Sequence, residues 1–431
     1  MKKLVALFLV LIMSLSLVAC AAPAAEEAPA AEEVPAAEAA TEAATEAPAE
    51  GTAEPTKMTL ILRGGTYGEV VKAVLPAFEA EHNVTCEVLD LSFDELHSKI
   101  ALDAVNAKGA YDLCMVDGSW MAEFTANGVL ANLSEMGYAF DEDVIPATTT
   151  ICEYDGNIYL APFFGNVTVL LYNKALIEAA GYAAEDIDTM EELMDIAQKT
   201  NAAGQMGYLL RGGSGDNIVS DFIPHLLAYG GWVVDENNKP TVNTDEFKAA
   251  FTNYIELYKV GGSMDKDDIV AAIDGGSAAL GLGWPGWYVP TADGAANYKV
   301  MPGKINDADT AKKTSMQGVW TIGVCNNSQN KELAFELLKY LMDPEVQLST
   351  VEIGGVPCRY SSLLNEDVLA VYPHLEQVCG ALETGVYRPV IEQWAEFTNI
   401  LGTEMDAVIQ GVKDMDTGLN DAQAALEALL G

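Results

Sequence analysis

Basic residues and histidine are what this sequence has least of. Four histidines, His82, His97, His225 and His374, are scattered over 431 residues. Their spacing excludes a zinc hydrolase of the His-Glu-x-x-His kind. Twenty-three bases stand against 64 acids, a formal net charge of −41. A chain this acidic argues against binding nucleic-acid phosphates or an anionic membrane surface. There is no P-loop, no Gly-x-Ser-x-Gly elbow and no EF-hand loop. Gly281-Leu-Gly-Trp-Pro-Gly286 matches Gly-x-Gly-x-x-Gly in letters only. Trp284 and Pro285 are bulky where a pyrophosphate must approach backbone, and no strand-turn-helix opening surrounds them. Neither cofactor nor metal is expected. Cys-x-x-Cys is absent too. Six cysteines follow Cys20, namely Cys86, Cys114, Cys152, Cys325, Cys358 and Cys379. Their even number permits disulfides, but a body of this size does not need staples. Most sit in apolar runs such as Leu113-Cys114-Met115-Val116, so they read as free buried thiols.

What is present begins with an address. Met1-Lys2-Lys3 is a short basic start, and Leu4 to Leu17 is nearly all apolar. The run is short for a membrane span and has the proportions of a secretory signal. It ends in Leu17-Val18-Ala19-Cys20, which resembles the bacterial lipobox. That resemblance implies cleavage after residue 19 and lipidation of the Cys20 thiol. Residues 1–20 are thus read as a lipoprotein signal. Residues 21–56 are almost entirely Ala, Glu, Pro and Thr. They can bury almost nothing, so they read as a disordered tether that holds a folded body away from the lipid. Part of the negative charge belongs to this tether.

The rest is long enough for two domains with real cores. Met58 to Leu62 reads as a strand ending at Arg63-Gly64-Gly65. Val70 to Glu81 has helical spacing, and Val84 to Leu91 returns as a strand. Phe93 to Ala107 reads as a helix, and Tyr111 to Val116 as a strand that stops at Asp117-Gly118. Such alternation predicts an α/β fold with a largely parallel sheet. A second set follows. Val167 to Tyr172, Tyr208 to Leu210 and Ser277 to Leu282 read as strands, and Thr189-Met-Glu-Glu192 as a capped helix start. Val319 to Val324 is a further strand, followed by a helix over 331–341. The region from Glu366 onward is mostly helical.

Several segments, in order, resemble one family. They are Tyr111-Asp-Leu-Cys-Met-Val-Asp117, Gly156-Asn-Ile-Tyr-Leu-Ala-Pro162, Leu171-Tyr-Asn-Lys174, Gly276-Ser-Ala-Ala279 through Trp287, and Asn330-Lys-Glu-Leu-Ala334 through Pro344-Glu345. The chain resembles the extracellular solute-binding proteins of bacterial ABC importers, the family that contains the maltose-binding protein. The family's Gly-Pro-Trp is altered here to Trp284-Pro-Gly-Trp287. The resemblance implies a two-lobed periplasmic-binding-protein-like fold, with both α/β lobes discontinuous. Residues 57–165 and 301–357 form the first lobe, and 166–300 and 358–431 the second. Crossings are expected near Gly165, Val300–Pro302 and Gly355–Arg359. The implied function is capture of a small solute, a sugar, oligosaccharide or polyol, by lobe closure. A monomer hands it to ABC permease subunits, touching the membrane only through its lipid. Two rivals stay open on the residues alone. A lipid-anchored glycosidase needs two carboxylates about 5–10 Å apart, and acids are abundant. An adhesin or scaffold would show neither tight small-molecule binding nor closure.

A sugar site wants polar side chains for hydroxyls and aromatic rings for C–H faces. Trp120, Trp284 and Trp287 stand beside turns at strand ends. By resemblance, Trp287 falls where the family stacks a ring on sugar, and Trp394 matches a second such position. Trp320 lies within a strand and reads as core, and Trp232 as structural. Phe164 is a further candidate for the ligand site, and Asn166 falls where the family carries a carboxylate or amide at the cleft mouth. Arg63, Tyr67 and Asp117 come from first-lobe loops, and Ser220 and Asp221 sit before a second-lobe helix. Only four arginines occur: Arg63, Arg211, Arg359 and Arg388. Arg63 and Arg211 precede Gly-Gly after strands, and Arg359 lies near an expected crossing. Each either recognises hydroxyls or carboxylates of a ligand or pairs with one of the many acids.

Overall fold

The computed structural model describes residues 54–213, 215–291, 294–305, 308–309 and 314–431. The signal, Cys20 and nearly all of the tether lie outside the described residues.

In chain order the first sheet begins with β1 (Thr56–Arg63), α1 (Thr66–His82), β2 (Val84–Leu91), α2 (Phe93–Ala104), β3 (Leu113–Asp117) and β4 (Ala161–Phe164). The chain then enters a second sheet at β5 (Val169–Asn173), followed by α3 (Met190–Ala202), β6 (Met206–Arg211), α4 (Asp216–Ala228) and α5 (Asp245–Gly261). β7 (Ser263–Met264), α6 (Lys266–Asp274), β8 (Ala278–Gly283) and β9 (Ala296–Lys299) complete that sheet. The return runs through β10 (Met316–Gln317), β11 (Trp320–Val324), α7 (Lys331–Leu341), α8 (Pro344–Thr350), α9 (His374–Thr384) and β12 (Val386–Tyr387). Two long helices, α10 (Trp394–Ile409) and α11 (Met415–Leu430), end the chain.

The strand orders are β2-β1-β3-β11-β4 and β9-β5-β8-β6-β7. Neither sheet is wholly parallel. β11 runs against β3 and β4, and β5 against β8 and β9. Both reversed strands have just arrived from the other lobe. They enter at the edge where the parallel strands end: Trp320, the first residue of β11, pairs with Asp117, the last of β3. Likewise Val169, opening β5, pairs with Gly283, closing β8. β3, β5, β8 and β11 are buried along their whole length, as strands covered on both faces must be. α2 and α3 start with capping boxes, Ser92 with Glu95 and Thr189 with Glu192.

At the junction of the lobes three segments lie bonded side by side. Gly318 N–H donates to Asn166 O at 2.9 Å and Thr168 N–H to Met316 O at 2.9 Å. β12 pairs in parallel with β10. Val356 also reaches this ribbon, accepting from Gly165 N–H at 2.6 Å. The six cysteines from Cys86 onward are free thiols, and all but Cys86 are buried.

Candidate functional site

The strand ends of the two sheets face each other across a cleft of about 860 Å³. Open α/β sheets place ligands at such ends, because loops there are free to carry function. On the first wall, Arg63 ends β1, Asp117 ends β3 and Trp320 opens β11, with Tyr67 in the first turn of α1 and Trp120 just after β3. On the second wall, Arg211 ends β6, Ser220 lies on α4, and Trp394 opens α10. Trp284 and Trp287 bracket a tight turn after β8, closed by Trp287 N–H donating to Trp284 O at 2.9 Å. Proline second in that turn pre-sets its backbone. Asn166 projects from the junction, and all of these residues line the cleft.

Aromatic rings cover much of the first wall. Trp120 and Trp320 meet edge to face at 5.8 Å, Tyr67 and Trp320 are 5.5 Å apart, and Phe93 packs on Trp120 at 4.8 Å. Burial pushes the Tyr67 hydroxyl up to about 12, so it stays a neutral donor.

The charges are arranged with more discrimination. Arg388, just past β12, donates from Nη2 to Asp117 at 3.0 Å and from Nη1 to Asp216 at 3.4 Å. Asp117 belongs to the first sheet, and Asp216 opens α4 over the second. One guanidinium therefore ties both lobes. Burial alone would lower its pKa, but the two carboxylates hold it above the ordinary value. Arg63 is anchored by donating to Leu91 O at 3.1 Å. Arg211 is not anchored: its guanidinium lies 5.2 Å over the Trp287 ring and makes no hydrogen bond or ion pair among the described residues. Burial lowers its pKa. His97 Nε2 and Glu123 lie 2.9 Å apart on the rim. Asn166 Oδ1, Arg388 Nε and Trp394 Nε1 are buried without a partner among the described residues, and all three residues line the cleft. An unmet buried polar atom costs about 1–3 kcal/mol, a cost that a hydroxyl-bearing ligand relieves, since a hydroxyl both donates and accepts.

Three expected site residues fall outside the lining. Phe164 is buried beneath Tyr67, edge-on at 4.8 Å, and supports that ring from below. Asp221 lies inside α4, not before it, and accepts from Tyr254 Oη at 2.7 Å and Arg211 N–H at 3.2 Å. Burial pushes its carboxyl up to about 7. Arg359 is only 2% exposed and takes the structural option. It pairs with Asp141 at 2.9 Å and Asp143 at 3.1 Å, and donates to Met342 O and Gln347. Conversely, Arg388, Asp216 and Trp320 belong to the site and were not expected there.

Residues 64–348 match the family of bacterial extracellular solute-binding proteins. The chain belongs to that family. This solute-binding protein is 25% identical to a mannitol-binding protein of Pseudomonas aeruginosa, over 80% of this chain and 86% of that one. It is 21% identical to a probable amino-acid ABC transporter periplasmic-binding protein of Sinorhizobium fredii, over 87% of this chain and 89% of the other. A crystal structure of an ABC transporter solute-binding protein from Agrobacterium radiobacter with ribitol matches with a TM-score of 0.76 at 23% identity. The match covers 87% of this chain and 98% of that one. A maltose-bound protein of T. maritima matches with a TM-score of 0.75 at 22% identity, over 87% and 100%. The fold is thus the two-lobed one of periplasmic binding proteins, and the chain is a binding protein, not an enzyme. No helix among the described residues is long and apolar enough to cross a membrane.

Proposed function

We propose that this protein captures a sugar or polyol in the cleft and delivers it to the permease of an ABC importer. The observation that carries the reading is the cleft's chemistry: indole and phenol faces on both walls, interleaved with buried donors and an acceptor that lack partners. Polyhydroxy compounds match that mixture, with C–H faces for the rings and hydroxyls for the polar atoms. The relatives that bind mannitol or ribitol support the same reading. The closing bodies are built on 57–165 with 301–357 and on 166–300 with the C-terminal part of 358–431, since the start of that last segment packs on the first body, where Arg359 pairs with Asp141 and Asp143; closure turns on the bonded junction segments. The protein acts as a monomer, tethered outside the cell through lipid on Cys20. A thermal-shift screen over sugars and polyols tests the ligand class. A ligand at 100 times its Kd should add about 2.7 kcal/mol of stability. A screen in which amino acids shift the melting point and no sugar or polyol does would overturn it.

A further inference from the structure

We propose that the ligand is an acidic sugar or polyol, a uronate or aldonate, whose carboxylate is held by Arg211. This rests on the sugar-or-polyol reading and narrows it. The chain has only four arginines, and three of them, Arg63, Arg211 and Arg388, line one cleft. Their roles differ. Arg388 is neutralised between Asp117 and Asp216, with only its Nε lacking a partner among the described residues, and Arg63 donates to the backbone at Leu91. Arg211 alone keeps its whole fork of donors unused among the described residues, lying over Trp287. A half-buried guanidinium is costly without a partner, and its planar fork fits a carboxylate in two parallel bonds. Two acids act on the Arg211 guanidinium without bonding it: Asp216, in the cleft lining, is paired with Arg388, and Asp221 accepts from the Arg211 backbone N–H and from Tyr254 Oη, outside the cleft lining.

A second feature meets at the same point. β6 leads from Arg211 through Gly212-Gly213 to Gly215, whose φ of 69° suits glycine, and then into α4. α4 is 13 residues long, and no side chain caps its start among the described residues; the carboxylate in its first turn, Asp216, is paired with Arg388. Its first amides and dipole favour negative charge. α10 packs against this start, with Asn399 beside Gly215, and brings the unpartnered indole N–H of Trp394, itself 5% exposed. Guanidinium fork, helix start and orphan indole donor thus all line the same cleft. The Trp287 ring beneath Arg211 is placed for the sugar's C–H face while the fork takes the acid.

Isothermal titration of the full chain with matched pairs tests this: galacturonate against galactose, glucuronate against glucose, and gluconate against sorbitol. At least one acid should bind tenfold or more tighter than its neutral partner, and added salt should narrow the gap. Arg211→Gln should erase the preference, weakening the acid at least tenfold more than its neutral partner. Arg211→Lys, which keeps charge without the fork, should retain part of it. Neutral members binding as tightly as their acids in the unaltered protein would overturn the proposal while leaving the sugar reading intact, whether or not the variants fold. Equal weakening of acid and neutral ligands by Arg211→Gln would also overturn it. Amino acids shifting the melting point while no member of any pair binds would sink both.

Discussion

Two tryptophans three residues apart have opposite fates. Trp284 is 5% exposed and packs into the second-lobe core, while Trp287 is only partly covered and faces Arg211. Trp287→Ala should therefore weaken ligand binding by roughly 1–3 kcal/mol, about 5- to 150-fold, with little change in the melting point of the empty protein. Trp284→Ala should instead cost about 3–5 kcal/mol of folding stability. Paired melting curves and titrations check both. Asp221 offers a pH test. Its folded pKa, about 7, lies above the ordinary value of 3.8. The unfolded chain therefore loses its proton first, and the carboxyl's contribution fades as pH rises from about 4 through 7. Wild type should lose on the order of 2 kcal/mol more stability than Asp221→Asn between pH 5 and pH 8. Urea midpoints of both proteins at the two pH values measure this. That Trp287 lines the cleft is legible in the sequence because it stands in a loop at a strand end, inside a recognisable motif. Arg388 was not. Its partners are 271 and 172 residues away, and with so many acids in the chain no spacing singles out Asp117 and Asp216. Arg359 falls outside the cleft for the same reason, since the sequence does not mark Asp141 and Asp143 as its partners.

Among the elements, strand positions were readable and strand directions were not. Apolar runs located β3, β8 and β11, but periodicity carries no sign of which end faces the cleft. Trp320 shows the cost. Its strand position reads as core, and it is 4% exposed within the first-lobe core, yet β11 is reversed, so this first residue also lines the cleft. The turn after β8 makes a further prediction. A Cβ on Gly286 would stand 2.5 Å from Tyr67 Oη, on the opposite wall. The two approach this closely because the walls are drawn together, and glycine is what allows it. Gly286→Ala should leave the empty protein's melting point nearly unchanged and weaken binding about tenfold or more, mainly through faster release. Stopped-flow release rates read that directly. A large fall in empty-protein stability would place the contact in the folding core instead.

At the scale of the whole molecule, anchoring and body are separable. If Cys20 carries the lipid, Cys20→Ala should move the protein from membrane to soluble fraction without altering its melting curve or affinity, which fractionation and titration decide together. The two-lobed plan was legible because its segments recur in order along the chain, whereas the bonded ribbon at the junction depends on contacts no local pattern encodes. The reversed strands have a consequence for assembly as well. Thr321 of β11 donates to Val116 O of β3 across 205 residues of chain. In the second lobe, Gln423 near the C-terminus bonds the backbone at Pro240 and Val242. Neither sheet can be finished by the first half of a growing chain, and pairings this distant close slowly. A growing chain therefore cannot complete either sheet until Ala296–Lys299 and Trp320–Val324 have been made, so the two walls of the cleft are finished late and close together in time.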